Sequence, residues 1–195
     1  MKIYLTDLRD IVKCPNALKR FQECLSPEEQ QRFEGMTHEN RKLQFLIGRA
    51  LVQDICQQSP VLLPSGKPII QNGFISLAHS GPYVVLAVSD SPVGIDIEDT
   101  SQNKDFSRLA RRLNFTLAEN KRDSFYRQFT HVESLYKLGE HSGSIRSFYY
   151  SINTFVLCIT TLNNKEKINI IKKIPFENGI SLSLPLLATE VSDDL

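Results

Sequence analysis

A mixed α+β fold is what the sequence predicts, on three observations. Leu43, Leu46, Ile47, Ala50, Leu51 and Ile55 recur at spacings of three and four residues, the apolar stripe of a core-facing helix. Residues 69–98 follow the turn-forming run Pro64-Ser65-Gly66-Lys67-Pro68 and are rich in β-branched side chains. The composition, 195 residues with 41% hydrophobic and 23% charged side chains, is that of one soluble globular unit or of two small lobes sharing a core.

From the N-terminus, Lys2-Ile3-Tyr4-Leu5 reads as a short strand that ends in a turn at Thr6-Asp7. Ser26-Pro27-Glu28-Glu29 combines a serine cap, a glutamate three residues on and a proline at the first helical position, so a short helix begins at Pro27. The longer helix with the apolar stripe follows from about Thr37. In the β-rich region, Tyr83-Val84-Val85-Leu86-Ala87-Val88 reads as a buried strand, Ser89-Asp90-Ser91-Pro92 as a turn and Val93-Gly94-Ile95-Asp96-Ile97-Glu98 as its hairpin partner. A polar linker carrying Lys104, Arg108, Arg111 and Arg112 leads to Thr116-Leu117-Ala118-Glu119, a second cap. A helix from there runs to Lys137, with Gly139 and Gly143 to stop it. Two more strands are expected near 154–161 and 168–174, then an acidic tail at 190–194. No internal repeat or low-complexity segment is visible.

Charge and composition exclude several classes. With 23 basic and 22 acidic side chains there is no general electrostatic case for nucleic acid as a partner, which leaves only local basic patches open. No stretch approaches the roughly 18 apolar residues of a membrane span, and the N-terminus lacks signal-peptide order, so a cytoplasmic protein is expected. Cys14, Cys24, Cys56 and Cys158 are widely spaced without a CxxC pair and read as reduced packing residues.

Four features could carry chemistry. Asp96 and Glu98 alternate with Ile95 and Ile97, which puts both carboxylates on one strand face. A hard divalent cation would relieve their repulsion; alternatively they mark the solvent side of an amphipathic strand, the commoner meaning of such spacing. Glu133 and Lys137 lie one helical turn apart, the spacing of an ordinary surface ion pair. Leu77-Ala78-His79-Ser80-Gly81-Pro82 puts a histidine and a serine at a turn between apolar segments, and Gly66-Lys67-Pro68 holds a lysine on a stiff turn. His38, His79, His131 and His141 have no metal-ligand spacing, and GxGxxG, GxxxxGK[ST] and GxSxG are absent. With no tryptophan and no aromatic-basic RNP pattern, single-strand nucleic-acid binding has no support either.

Taken in order, SPEEQQRF, NRKLQFLIGRALV, GKP, SLAHSGPYVVLAVSDSPVGIDIED and FTHVESLYK resemble the Sfp-type 4′-phosphopantetheinyl transferases, over about residues 26–137. The resemblance implies an α+β fold of two pseudo-twofold-related lobes in one chain, residues 1–100 and 101–195, with coenzyme A in the cleft between them. It implies Mg2+ held by Asp96, Glu98 and Glu133, and transfer of phosphopantetheine to a serine of an apo acyl or peptidyl carrier protein, a monomer being sufficient. Asp96 and Glu133 then act in catalysis, Glu133 or a water it holds taking the serine proton. His79 and Ser80 would meet a coenzyme A phosphate, Lys67 and Arg32 the nucleotide end and Lys137 the pyrophosphate, with Arg41 and Arg49 adding to the field. The chain departs from the family pattern at Phe129 for tryptophan, Val132 for the lysine before the metal glutamate, Ala78 for serine, and in the segment Gly139-Glu140-His141-Ser142-Gly143. Val132 and the irregular segment after Lys137 motivate a rival reading, a non-catalytic relative that binds coenzyme A or the carrier. A third reading is an unrelated two-carboxylate phosphotransfer or phosphodiester enzyme.

Overall fold

Alternation in the first strand decides what each face of the protein meets. In the computed structural model, which describes residues 1–11, 15–23, 25–63, 67–140, 142–162, 167–175, 180–182 and 186–192, β1 spans Lys2–Asp7. Its Ile3 and Leu5 turn to one side and Tyr4 to the other. Helices α1 (Leu8–Ile11) and α2 (Pro15–Gln22) follow. The helix expected at Pro27 is α3 (Pro27–Glu34): the Ser26 hydroxyl accepts from Glu29 N, and the Glu29 carboxylate accepts from Ser26 N. The striped helix is α4 (Glu39–Cys56).

Strands β2 (Val61–Leu62), β3 (Pro68–Ile69), β4 (Phe74–Ser80), β5 (Tyr83–Ser89) and β6 (Val93–Asp99) come next. Helices α5 (Phe106–Leu113) and α6 (Lys121–Leu138) precede β7 (Ile145–Ile152), β8 (Phe155–Thr161), β9 (Asn169–Lys172), β10 (Ile180–Leu182) and β11 (Leu186–Ser192). One sheet has the order β10-β9-β1-β5-β4 and the other β11-β7-β8-β6, while β2 and β3 pair by themselves. Each sheet draws strands from both halves of the chain.

Three clusters define the layers. Ile3, Leu5, Val85 and Ala87 of the first sheet meet Ile95, Ile97, Leu157 and Ile159 of the second. On the first sheet's other face, Tyr4, Ile75, Val84 and Leu86 meet Leu46, Ile47, Ala50 and Leu51 of α4. Phe125 and Tyr126 of α6 pack with Ala110 of α5 and with Val156 of β8. The arrangement is helix, sheet, sheet, helix, a mixed α+β fold. No helix among the described residues is long and apolar enough to cross a membrane. Cys56 and Cys158 are free thiols, and burial pushes Cys158 up to about 11.

Several expectations are corrected. β5 and β6 are not a hairpin: β5 has β1 on one edge and β4 on the other, so the chain crosses at residues 90–92 into the second sheet, where β6 pairs with β8. The basic linker is mostly α5, capped by Asp105, whose arginines flank a buried Ala110. The cap at Thr116 is unused, because Asn120 accepts from Asp123 N and starts α6 at Lys121. The segment read as a His-Ser turn is the end of β4, with the turn itself at Gly81-Pro82. Glu190 lies in β11 rather than in a tail. Cys14, Cys24, the Pro64-Ser65-Gly66 turn, His141, Asp193 and Asp194 lie outside the described residues.

Candidate active site

The site lies where β4, the edge of the first sheet, crosses the open edge of β6. No backbone ladder among the described residues joins these strands. Instead, Ser76 Oγ accepts from Ile95 N at 3.1 Å and Ser80 Oγ accepts from Asp99 N at 3.3 Å. Strand alternation turns Ser76 and Ser80 toward β6 and turns Leu77 and His79 toward α4.

On the α4 side there is a cavity of about 580 Å3, lined by Arg32, Arg41, Phe45, Arg49, His38 and His79 among others, with no carboxylate among its described lining residues. Arg32 and Arg49 lie over the Phe45 ring at 5.5 and 4.8 Å. Arg49 and Glu29, 6% and 5% exposed, form a close buried ion pair whose N–H does not line up as a hydrogen bond. The glutamate of the α3 cap therefore also balances an arginine of α4. Arg41 Nη1 stands 3.3 Å from His79 Nε2. A guanidinium can only donate, so Nε2 accepts and the neutral ring carries its proton on Nδ1. His79 faces the groove yet is ringed by protein, and desolvation followed by the Arg41 charge holds it below the usual histidine range.

A second cavity of about 500 Å3 continues from the first through Arg41, Gln44, Leu77, Ala78 and His79, and it reaches Ser80, Asp96, Glu98 and Lys137. Gln44 and Asn40 both donate to Gly81 O, tying α4 to the β4–β5 turn beside the groove. Asp96, 6% exposed, accepts from Lys137 Nζ at 2.7 Å on Oδ1, and its buried Oδ2 has no hydrogen-bond partner. Burial raises the Asp96 pKa against the opposing pull of Lys137, with the Glu133 charge adding to the rise. Glu98 is pushed up to about 7, first by burial and then by Asp96. This end of the groove holds more negative charge than Lys137 neutralises.

Helix α6 reaches the carboxylates because residue 94 is glycine. A Cβ at Gly94 would stand 1.8 Å from Ser134 O and 2.7 Å from Leu138 N. Helix and strand backbones thus touch one turn from Lys137. Gly94, Asp96 and Glu98 share a strand face, so the acids emerge along the flank of α6 rather than into solvent, which removes the solvent-face reading for Asp96.

The structure brings most of the sequence-derived residues together. Arg32, Arg41, Arg49 and His79 line the first cavity, and His79, Ser80, Asp96, Glu98 and Lys137 line the second. Half-buried Glu133 stands near enough for its charge to act on Asp96 and Glu98, but it lines neither cavity. Among the described residues, no three of His, Cys, Asp and Glu are gathered as a ready-made metal cluster. Lys67 lies outside both linings: its ammonium donates to Lys137 O at 2.5 Å and to Leu138 O at 3.4 Å, binding the β2–β3 hairpin to the C-terminus of α6. Burial lowers its pKa.

At the positions that depart from the family pattern, Phe129 stacks on Phe125 at 5.8 Å, Ala78 is 3% exposed in the core between the sheets, and Val132 is 49% exposed. Sequence reasoning missed Gln44, Asn40, Phe45 and Ser76. Gln44 had a signal, a polar residue interrupting an apolar stripe, whereas Ser76 had none.

No protein-family model matches the chain. Among curated proteins it is similar to the 4′-phosphopantetheinyl transferase Sfp of Bacillus subtilis (strain 168), with 30% identity over 94 residues that cover 42% of this chain and 42% of that protein. The chain matches well under half the length of this curated relative, and what it resembles over that part is a phosphopantetheinyl transferase.

Proposed function

We propose that this chain is a Mg2+-dependent 4′-phosphopantetheinyl transferase that moves the phosphopantetheine arm of coenzyme A onto a serine of an apo acyl or peptidyl carrier protein in the cytoplasm. The observation that carries this reading is the continuous groove, cationic at α4 and carboxylate-rich at β6, with His79 and Arg41 at the junction. A ligand with an anionic nucleotide at one end and a pyrophosphate at the other matches that polarity. The partial likeness to a curated phosphopantetheinyl transferase supports the same chemistry. Under this reading the two lobes are residues 1–100 and 101–195, and one chain suffices.

Arg32, Arg41 and His79 hold the phosphates of the nucleotide end; Arg49, already paired with Glu29, shapes the wall more than it adds charge. The donor chemistry at β6 fits magnesium, which takes a few carboxylates and completes its shell with water and substrate phosphate, so a three-residue cluster is not required in advance. The unpartnered Asp96 Oδ2 and the raised pKa of Glu98 are what two acids awaiting a cation would show. Asp96 and Glu98 would hold the ion with Glu133 beside them, and it would supply charge neutralisation on the pyrophosphate. The acceptor serine Oγ bonds to the β-phosphorus, the bond to the bridging oxygen breaks, and 3′,5′-ADP leaves with the bonding pair. The serine proton passes to the Glu133 carboxylate or to a water held by it. Lys137, anchored on Asp96, presents its ammonium to the same phosphates.

A second reading, a relative that binds coenzyme A or carrier without turnover, draws on exposed Val132 beside Glu133 and on the Lys137 ammonium occupying Asp96 Oδ1. Mass spectrometry of apo carrier proteins incubated with the protein, coenzyme A and Mg2+ separates the two. Transfer predicts a gain of one phosphopantetheine arm that chelator abolishes; binding of coenzyme A with no gain on any carrier favours the second reading.

A further inference from the structure

Strands β4 and β6 carry the two halves of the site yet belong to different sheets, so no ladder fixes one against the other. Two side-chain hydroxyls take its place. Ser76 accepts from Ile95 N and Ser80 from Asp99 N, and the equal offset of 19 residues shows that the strands run in the same direction across the seam. His79 lies within the span that the two serines bracket on β4; Asp96 and Glu98 lie within the matching span on β6. Ser76 is 3% exposed and lines neither cavity, so it touches no ligand in the groove.

We infer that Ser76 and Ser80 are positioning residues, hydroxyl stitches that replace a backbone ladder and set the carboxylates of β6 at a working distance from the phosphate-binding groups of β4. The inference rests on the proposed transfer for its kinetic consequence, though the stitch itself is testable without it. The amides of Ile95 and Asp99 face the open edge of β6, where no strand supplies an acceptor, and each has one hydroxyl to satisfy it. Removing the buried stitch frees Ile95 N, and β6 shifts to recover a hydrogen bond. The carboxylates move with it, while Arg32, Arg41 and His79 keep their places on the first-sheet side.

The test uses the full-length protein carrying Ser76→Ala, with Ser76→Thr, which keeps a hydroxyl, as the rescue. Amide exchange by NMR should speed up at Ile95 by about tenfold or more in Ser76→Ala, relative to amides of the β7–β8 pair, and return toward wild type in Ser76→Thr. In the transfer assay, kcat should fall by about tenfold to a hundredfold with KM for coenzyme A within about twofold, again restored by threonine. Unchanged relative exchange at Ile95, or a loss of activity that only follows the folded fraction, overturns the inference. If the wild-type protein transfers nothing, the proposed function fails, and the stitch is judged on exchange and on Mn2+ affinity measured by electron paramagnetic resonance. Several-fold weaker Mn2+ binding by Ser76→Ala supports it; equal binding, or none by the wild type, overturns it.

Discussion

Helices α4 and α6 are each 18 residues long and each is followed by an antiparallel hairpin, β4–β5 after the first and β7–β8 after the second, yet they use this plan in opposite ways. Between α4 and the first sheet lies the cationic cavity of about 580 Å3. Between α6 and the second sheet the packing is close: Ser134 meets Cys158 and Thr160, Phe125 and Tyr126 pack with Val156 and with the α5-side Phe106 and Phe115, and a smaller pocket of about 230 Å3 beside Arg127 and Tyr149 is left. A glycine faces the helix–sheet interface in each case. A Cβ at Gly48 of α4 would meet Leu77 at an ordinary 3.7 Å, whereas at Gly94 it would strike the α6 backbone. The first unit packs its helix on the sheet along one stretch and leaves a cavity beside it; the second brings helix and strand backbones into contact beside the carboxylates.

The sharpest way to break that comparison is alanine at the two glycines. Gly94→Ala should cost about 3 kcal/mol or more in denaturant unfolding, because the collision is with backbone that cannot rotate away. Gly48→Ala should be neutral or stabilise by up to about 1 kcal/mol through helix propensity. Equal effects would mean that the two interfaces are not built differently.

Next in size is the contrast between two arginines of α4. Arg49→Ala leaves the buried Glu29 carboxylate without its partner and should destabilise the protein by about 3 kcal/mol in the same unfolding measurement. Arg41, exposed on the groove, should change stability by less than about 0.5 kcal/mol when replaced by alanine, and should instead weaken coenzyme A binding in titration calorimetry.

A third contrast is the part of the pH dependence that Glu98 supplies at the carboxylate end. Glu98 titrates near 7 in the folded chain against 4.5 for an ordinary glutamate, so between those values the native state holds a proton that the unfolded state has lost. Stability therefore falls as pH rises through that window, and Glu98→Gln should remove this fall, leaving the variant the more stable above pH 7 and unchanged below 4.5. Thermal unfolding of both proteins across pH 4 to 8 reads it directly, and parallel curves would contradict the assignment.

What the sequence made legible was local. The Ser26 capping box, the stripe of α4 and the buried run of β5 depend on residues within one or two turns of each other, and all three are present. The supposed β5–β6 hairpin failed because strand pairing depends on which edges are free, and β1, some eighty residues upstream, had already taken one. The amphipathic α5 was hidden by its arginines, which read as linker although they flank Phe106, Leu109 and Ala110. In the site, most residues that the motifs single out lie together, but Lys67, expected at the nucleotide end, meets backbone carbonyls some 70 residues away that no local pattern shows. Ser76 was invisible for the same reason, its role being set by a strand of the other sheet.

The most direct test of the central claim, that one groove binds one ligand through both its cationic and its carboxylate ends, is calorimetric titration of coenzyme A with and without Mg2+ in the wild type and in Asp96→Asn. Mg2+ should tighten coenzyme A binding in the wild type, and Asp96→Asn should abolish this coupling while leaving metal-free affinity nearly unchanged. Coenzyme A affinity indifferent to Mg2+ in the wild type would contradict the claim.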